Sequence, residues 1–412
     1  MFDFELLSRI YGGRDKAEKQ LKRLNALKER FTQLFGDGGE IVFVSAPGRT
    51  EIAGNHTDHN YGKVLAASVD LDTLAAVRAN GTDTVNLYSD MYEEPFRVDI
   101  SALEPAEAEK ETTAALIRGS AAGVRARGGR IGGFDACVTS NVLRGSGLSS
   151  SAAFEVLLVR IFDELFSGGV IPAEENARIS QKTENRFFMK PCGLMDQMAC
   201  AVGGMVYIDF AGGNAQVESI KYDFSAKGLT PCVVAAGGDH GNLTGEYASI
   251  PAEMKAVANA LGGSVLREVE DRIYSSVPLL KGRVSDRAIL RALHFADENR
   301  RVGELAQALK RDDINAFLEG IIASGESSWK LLQNLYVPGG SNEEMPLALE
   351  MSARLLKGKG AWRIHGGGFA GTILVFVPTD ELSAYTQQME AVFGQGSVKP
   401  LFIRPEGVIR LA

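Results

Sequence analysis

The N-terminal half of the chain contains Gly145-Ser146-Gly147-Leu148-Ser149-Ser150-Ser151-Ala152-Ala153, which runs directly into the apolar segment Phe154-Glu155-Val156-Leu157-Leu158-Val159-Arg160-Ile161-Phe162. This pattern predicts a Gly/Ser loop that opens a long helix. The free N–H groups and the positive dipole end of such a helix form an anion site. Glycine lets the backbone approach an anion closely, and serine hydroxyls can bond a phosphate or a metal ion. The alternative interpretation is a simple serine-rich helix cap.

A second polar stretch follows the first predicted strand and reads Ala46-Pro47-Gly48-Arg49-Thr50-Glu51-Ile52-Ala53-Gly54-Asn55-His56-Thr57-Asp58-His59-Asn60. It offers a guanidinium, carboxylates, imidazoles and amides within a few residues. Such a set suits a polyhydroxylated ligand, because a site that pairs each hydroxyl rejects analogues that lack one. A metal site built on the His-x-Asp-His spacing and a solvated loop are the alternatives.

Two further motifs lie downstream. Lys190-Pro191-Cys192-Gly193-Leu194-Met195-Asp196-Gln197-Met198 places a carboxylate just inside a predicted helix. That carboxylate either complements the helix dipole or orients and deprotonates an attacking hydroxyl. Ile364-His365-Gly366-Gly367-Gly368-Phe369-Ala370-Gly371-Thr372 is either a tight turn or a backbone segment that packs against a ligand. The serine loop is not a Walker A loop, because no Gly-Lys-Ser/Thr follows it.

In this order, the four motifs resemble those of the GHMP small-molecule kinases and, within them, the galactokinase family, over nearly all of the chain beyond about residue 40. The resemblance implies an α+β fold of two lobes with the active site between them. The N-terminal lobe, residues 1–220, would be ribosomal-protein-S5-like. The C-terminal lobe, residues 221–412, would be ferredoxin-like.

The resemblance also implies roles for individual residues. Asp196 would orient or accept the proton of a sugar C1 hydroxyl, and Arg49 would stabilise charge on the transferring phosphoryl group. The sugar would be bound by Asn55, His56, Asp58, Gly193 and Tyr247. The phosphates of ATP would be cradled by Gly145, Ser146, Gly147, Leu148, Ser149, Ser150 and Ser151. The ligands of Mg²⁺ would be Ser150, Ser151 and Glu184.

The sequence departs from the family pattern at two positions. The usual signature has Asn-Leu-Ile-Gly-Glu-His after the arginine, whereas this chain has Glu51-Ile52-Ala53-Gly54-Asn55-His56. Asn55 therefore replaces a glutamate that accepts from the C6 hydroxyl, and an uncharged amide removes a repulsion against an acidic C6 group. Galactose is the expected substrate, and a galactose altered at C6 or C2, such as galacturonate or an amino sugar, is the alternative. Met189 stands where a glycine is usual.

Composition narrows the remaining choices. The 412 residues carry a net charge of −8 and include no basic tract, so nucleic acid is not an expected partner. Four scattered cysteines suit a reducing compartment, and no apolar stretch is long enough to span a membrane. We expect a cytoplasmic monomer that binds a sugar and ATP. The remaining alternatives are a kinase of the same superfamily for mevalonate, homoserine or an inositol-like alcohol, and a non-catalytic sugar sensor.

Several element predictions can be checked against the structure. Periodicity predicts helix over residues 1–35 and 314–335, and a short helix over 192–201. A strand over 41–46 should stop at Pro47-Gly48, and residues 64–69 and 73–77 should form two separate strands.

Overall fold

The computed structural model describes residues 2–142, 147–213, 215–237, 243–337, 343–369 and 371–412. Its α-helices are α1 (Phe4–Tyr11), α2 (Arg14–Phe35), α3 (Thr113–Ala126), α4 (Ser150–Phe162), α5 (Ala173–Thr183), α6 (Met195–Val202), α7 (Thr244–Ala260), α8 (Val277–Leu280), α9 (Asp286–Lys310), α10 (Ile314–Ser327), α11 (Glu344–Leu356) and α12 (Leu382–Phe393). Wider helical turns extend α4, α5 and α10 over Asp163–Ser167, Glu184–Phe188 and Ser328–Leu332. Such wide turns are frequent at functional sites.

The strands form two sheets. They are β1 (Val42–Ala53), β2 (Lys63–Ala79), β3 (Thr84–Ser89), β4 (Phe96–Asp99), β5 (Phe134–Ser140), β6 (Met205–Asp209), β7 (Gln216–Ile220), β8 (Leu229–Gly237), β9 (Ala361–His365), β10 (Gly371–Pro378), β11 (Val398–Pro400) and β12 (Ile409–Arg410). The larger sheet has the order β12-β1-β2-β5-β3-β4, and β6 joins it through β2 and carries β7. The smaller sheet has the order β11-β8-β10-β9 and is antiparallel throughout.

The prediction that the first strand stops at Pro47-Gly48 is wrong. β1 continues to Ala53, and its register against β2 shifts between Pro47 and Arg49 and again between Glu51 and Ala53. A bulge absorbs the proline, which cannot donate a ladder hydrogen bond, and the strand then resumes. Arg49 therefore lies within a strand and not in a loop that follows one.

Other boundaries also differ from the sequence predictions. Residues 64–69 and 73–77 belong to one continuous strand, β2, because it pairs with β6 along its first part and with β5 along its second. The helix predicted over 192–201 begins only at Met195, and the helical residues 1–35 are divided at Gly12 and Gly13. Strands β7, β9, β11 and β12 had no predicted counterpart.

The core explains how the two sheets meet. One apolar cluster packs α3, α4, α5 and α6 against the larger sheet. A second joins residues of β1 and β2, such as Ile52 and Leu65, to Phe317 of α10 and Phe376 of β10. The second half of β1 is thus held between the sheets. The division into lobes at residue 220 stays a prediction; β8–β11 form a separate sheet, whereas the late strand β12 pairs with β1.

In the part of the chain that the structure describes, none of the helices has the length and apolar character needed to cross a membrane.

Candidate active site

An ion pair between a buried arginine and a partly exposed aspartate lies at the centre of the candidate site. Arg49, on β1, donates from Nε to Oδ1 of Asp196 at 2.7 Å and from Nη2 to Oδ2 at 2.8 Å. Asp196 lies in the first turn of α6. Burial alone raises the pKa of Asp196, but the charge and hydrogen bonds of Arg49 outweigh it and hold that pKa below its ordinary value. Asp196 is therefore a carboxylate at neutral pH, and Arg49 neutralises its charge.

The described part of the predicted phosphate loop, residues 147–151, lies against this pair. The backbone N–H of Arg49 donates to the carbonyl of Leu148 at 3.0 Å, and its Nη1 donates to the carbonyl of Gly147. Ser149 Oγ donates to Asp196 Oδ2 at 2.5 Å, and the described residues give α4 no side-chain cap. Ser149 thus points to the carboxylate, which disfavours the simple cap. Two loop residues of the prediction lie outside the described residues, Gly145 and Ser146.

Asp58 and Gly193 lie in contact. A Cβ atom placed on Gly193 would stand 2.0 Å from Asp58 Oδ2, so only glycine allows the carboxylate to approach this backbone. The Asp58 side chain is 14% exposed, and its Oδ1 accepts from the backbone N–H of His59 at 2.9 Å. Because Gly193 and Asp196 flank the same helix start, Asp58 is brought to the same side of the site as the Arg49–Asp196 pair.

The glycine turn before β10 meets two other predicted sugar-binding residues. His56 Nε2 bonds the carbonyl of Gly367 at 2.9 Å, and the Tyr247 hydroxyl donates to the carbonyl of Gly368 at 2.8 Å. Burial lowers the pKa of His56 to about 4, so its ring is neutral at pH 7. A neutral ring that bonds a carbonyl through Nε2 carries its proton there, which leaves Nδ1 as an acceptor. Tyr247 is half-buried and packs edge-on against Phe369.

Asn55 is more enclosed than the sequence prediction implies. Its side chain is fully buried, and its Nδ2 donates to Glu51 Oε1 at 3.1 Å and to the carbonyl of Gly366 at 2.6 Å. Its Oδ1 accepts from Asn334 at 2.7 Å. The Glu51 carboxylate also binds Arg363 at 2.9 Å. A direct contact between Asn55 and a sugar stays a prediction, since these protein groups already use its amide atoms.

A buried polar network lies behind the predicted sugar-binding residues. This network was not predicted from the sequence. His294 Nε2 bonds the carbonyl of Asn55 at 3.0 Å, and Glu298 Oε1 accepts from the backbone of Gly54 at 3.0 Å. His365 bonds Thr50 through Nε2 at 3.0 Å. Burial lowers the pKa of both His294 and His365. His294 and Glu298 lie on α9, outside the four predicted motifs, whereas His365 stands in the predicted glycine motif without an assigned role.

Glu184, the predicted metal ligand, lies on the wide turn Glu184–Phe188. Its Oε2 accepts from Gln197 Nε2 at 2.8 Å, and its Oε1 faces Lys190 Nζ at 3.8 Å. The turn ends at Met189, which has a φ of 63°, in the left-handed region that favours glycine. Met189 therefore adopts a backbone conformation that glycine would adopt at lower cost. Among the described residues, no group of three His, Cys, Asp or Glu side chains is arranged to hold a metal ion.

A cavity of about 340 Å³ opens beside the start of α4. It was not predicted from the sequence. Ser150 and Ser151 are among the residues that line it. Its walls are mostly apolar and aromatic and come from β3, β5, α3 and the segments next to them. The apolar and aromatic lining residues are Leu87, Met91, Tyr92, Phe96, Leu116, Val138, Phe154 and Phe188. No local pattern predicts this cavity, because its lining residues are scattered along the chain.

Comparisons with known proteins give matches to one family of kinases. A family profile described as the galactokinase galactose-binding signature matches residues 29–79, and the GHMP kinases N terminal domain matches residues 115–204. Galactokinase of Streptomyces coelicolor is 30% identical over 377 residues, which cover 90% of this chain and 93% of that protein. Galactokinase of Pyrococcus furiosus is 28% identical over 82% of this chain and 90% of that protein.

Solved structures share the fold. The crystal structure of Lactococcus lactis galactokinase complexed with galactose matches with a TM-score of 0.80 at 24% identity, over 94% of this chain and 99% of that one. Methanococcus jannaschii mevalonate kinase matches with a TM-score of 0.64 at 13% identity, over 89% and 99%. These likenesses confirm the predicted GHMP kinase fold. With the sequence identity and coverage given above, they show that the chain belongs to the galactokinase family of the GHMP kinases.

Proposed function

We propose that this chain transfers the γ-phosphoryl group of ATP to the C1 hydroxyl of galactose. The observation that carries the proposal is the ionised carboxylate of Asp196, which is paired with Arg49 and bonded to Ser149 of the phosphate loop. One carboxylate thereby contacts the strand that leads to the sugar-binding residues and the loop that would hold the phosphates. Family membership supports the same reaction.

The sugar would lie between Asp58, His56 and Tyr247. Asp58 offers a carboxylate that accepts hydrogen bonds from adjacent ring hydroxyls, and the neutral ring of His56 offers Nδ1 as an acceptor. Gly193 contributes a backbone that approaches Asp58 closely. A polar site of this kind selects a sugar by pairing each hydroxyl, because a missing hydroxyl leaves a buried group without a partner.

The nucleotide would lie along the start of α4. The free N–H groups of its first turn and its dipole favour the phosphates, and the apolar cavity of about 340 Å³ suits the adenine ring. Mg²⁺ fits the oxygen donors Glu184, Ser150 and Ser151, since this ion prefers carboxylate, hydroxyl and phosphate oxygens. Bound there, the metal would neutralise charge on the β- and γ-phosphates.

The reaction follows from these positions. The C1 oxygen attacks the γ-phosphorus, the bond from that phosphorus to the bridging oxygen breaks, and ADP leaves. Because Arg49 keeps the pKa of Asp196 low, this carboxylate mainly orients the hydroxyl and accepts its proton late in the transfer. Arg49 offsets the negative charge that accumulates between Asp196 and the phosphoryl group.

A galactose altered at C6 is the second candidate substrate. Asn55 brings no negative charge to the C6 side of the site, and Arg363 neutralises the Glu51 carboxylate that Asn55 contacts. A sugar with a carboxylate at C6 would therefore meet less repulsion than it would beside a glutamate. His56 would face the altered group in either case.

ADP release with ATP and Mg²⁺ tests both candidates on galactose, glucose, galacturonate, galactosamine and N-acetylgalactosamine. We expect the highest kcat/KM on galactose. A higher kcat/KM on galacturonate or on an amino sugar would transfer the assignment to that sugar. Absence of turnover on every member of the panel would contradict the sugar kinase proposal.

A monomeric state and a cytoplasmic location stay predictions. The four cysteines are free thiols, which is compatible with a reducing compartment. Sedimentation of the purified chain tests the first, and fractionation of the source cells tests the second.

A further inference from the structure

Lys190 is a cation that has no role in the reaction proposed above. It follows the wide turn Glu184–Phe188, and its backbone N–H closes that turn by bonding the carbonyl of Glu184 at 3.1 Å. Phe188, two residues earlier, lines the cavity that Ser150 and Ser151 also line. Lys190 therefore lies next to the proposed nucleotide cavity, on the segment that leads to Asp196.

The side chain of Lys190 is 58% exposed, whereas that of Glu184 is only 5% exposed. Lys190 Nζ stands 3.8 Å from Glu184 Oε1, while Oε2 is taken by Gln197 at 2.8 Å. Lys190 thus covers the Glu184 oxygen that does not bond Gln197. A contact at 3.8 Å with an exposed ammonium is weak, so the lysine can leave it at little cost.

The positive charge of Lys190 acts on three acidic side chains of this region. Burial is the largest influence on the pKa of Glu155, Glu184 and Asp196 and raises it, while the charge of Lys190 lowers each of the three. The ammonium is therefore close enough to the place of phosphoryl transfer to act there electrostatically.

Phosphoryl transfer needs cations near the phosphates. The guanidinium of Arg49, next to Asp196, is already bound to protein groups. Arg49 is 6% exposed and is bound to Asp196 and to the carbonyl of Gly147. The loop from Gly145 to Ala153 contains no lysine, unlike a Walker A loop. Lysine is suited to this task, because its compact charge sits on a flexible four-carbon stem.

We propose that Lys190 is a phosphate-binding residue that exchanges partners when the nucleotide binds. In the free chain it pairs with Glu184 Oε1. With Glu184 engaged as a metal ligand, the ammonium would bind the β- and γ-phosphate oxygens instead. This inference rests on the proposed use of ATP and Mg²⁺. It adds a ligand to the phosphates and explains the contact between Lys190 and Glu184 Oε1 in the free state.

Calorimetric titration with ATP and with AMP, both in the presence of Mg²⁺, tests the inference on the whole chain. AMP lacks the β- and γ-phosphates, so only ATP should report the contact. Lys190→Met should weaken ATP binding about tenfold to a hundredfold, the range for one charge-assisted hydrogen bond, and leave AMP binding within about twofold. Lys190→Arg should retain most of the affinity for ATP, because it keeps the charge.

The matched control is Lys182→Met, which removes the same charge from an exposed position on α5. It should bind both nucleotides as the wild-type chain does. The inference is overturned if Lys190→Met leaves the ratio of ATP to AMP affinity unchanged, or weakens both equally. A wild-type chain that binds ATP but does not phosphorylate galactose would refute the sugar assignment alone, and the affinity ratio would still decide the role of Lys190.

Discussion

Arg49 and Asp196 lie 147 positions apart, and their pairing brings together the residues that the chemistry needs. The exposed part of the Asp196 side chain, 30% of its surface, is available to a substrate hydroxyl, while its charge is balanced by a nearly buried guanidinium. A buried pair of this kind gains little net stability, but the loss of one partner leaves an uncompensated charge. The pair is therefore better explained by function than by stability.

Gly193 tests the sugar site at the scale of one residue. In Gly193→Ala the new Cβ would stand 2.0 Å from Asp58 Oδ2, so the carboxylate must move. We expect the KM for galactose to rise about tenfold or more, the effect of losing a hydrogen bond to a charged group, with little change in the KM for ATP. Steady-state kinetics with each substrate varied in turn measures both values.

Gly38→Ala is the matched control, because a Cβ there meets no atom within 4 Å and the backbone is not in the left-handed region. Equal increases in both KM values for Gly193→Ala would contradict the assignment of Asp58 to the sugar.

The candidate site residues could be proposed from the sequence because their motifs are local, and their roles stay predictions. Asp196, Arg49 and Asp58 each stand in a short pattern that carries a resemblance. The enclosure of Asn55 could not be predicted, since its partners Asn334 and Gly366 come from segments about 280 and 311 positions away. The task inferred for Lys190 also depends on the fold, which places the ammonium beside Glu184 and the nucleotide cavity.

At the scale of elements, the second half of β1 positions the site. The bulge after Pro47 lets the strand continue, so that Arg49 bonds Leu148 through its backbone and Asp196 through its side chain. Sequence rules favoured a break at Pro47-Gly48, because proline cannot donate to a ladder. Pairing with β2 on both sides of the bulge overrides that local preference.

Gly48 tests this contact between the strand and the phosphate loop. A Cβ on Gly48 would stand 2.8 Å from the carbonyl oxygen of Leu148, so Gly48→Ala should displace the loop. We expect the KM for ATP to rise several-fold, about 1 kcal/mol or more of lost binding, and the KM for galactose to change less. Gly48→Ala should thus raise mainly the KM for ATP, whereas Gly193→Ala should raise mainly the KM for galactose.

Nucleotide titration of Gly48→Ala checks the same effect without turnover. Unchanged affinity for ATP would show that the loop tolerates the displacement, and would contradict the role of β1 in positioning it.

At the scale of the whole molecule, buried polar residues join the two sheets behind the sugar site. His365 of β9 bonds Thr50 of β1, and His294 of α9 bonds the backbone of Asn55. The α+β class and the resemblance to a two-lobed kinase could be predicted from the sequence. The pairing of Ile409–Arg410 with β1 could not, because a two-residue strand carries no periodic signal.

The buried histidines predict how stability depends on pH. Burial lowers the pKa of His294 and His365, so the unfolded chain binds protons at a higher pH than the folded chain does. The contribution of these neutral histidines to the free energy of unfolding is therefore fully present above about pH 6.5. It is lost as the pH falls below that value. Between about pH 7.5 and 5.5 we expect the free energy of unfolding to decrease by up to about 1.4 kcal/mol for each of these histidines.

Urea denaturation at several pH values measures this slope. Burial raises the folded-state pKa of Glu51, Glu155 and Glu184, so proton uptake by these carboxyl groups opposes the histidine contribution as the pH falls. The comparison with histidine variants isolates the histidine contribution. His294→Gln or His365→Gln should reduce the slope, since each removes one titrating group. A pH dependence of the free energy of unfolding that is the same in the wild-type chain and in both variants would contradict neutral buried histidines.

The position of the phosphate on the product tests the central claim most directly. The chain is incubated with ATP, Mg²⁺ and galactose, and the sugar phosphate is identified by phosphorus–proton coupling in nuclear magnetic resonance spectra. The proposed reaction predicts galactose phosphorylated at C1, with a rate at least about a hundredfold lower in Asp196→Asn, as for loss of a group that orients and accepts a proton. No phosphorylated sugar, a phosphate on C6, or an undiminished rate in Asp196→Asn would contradict it.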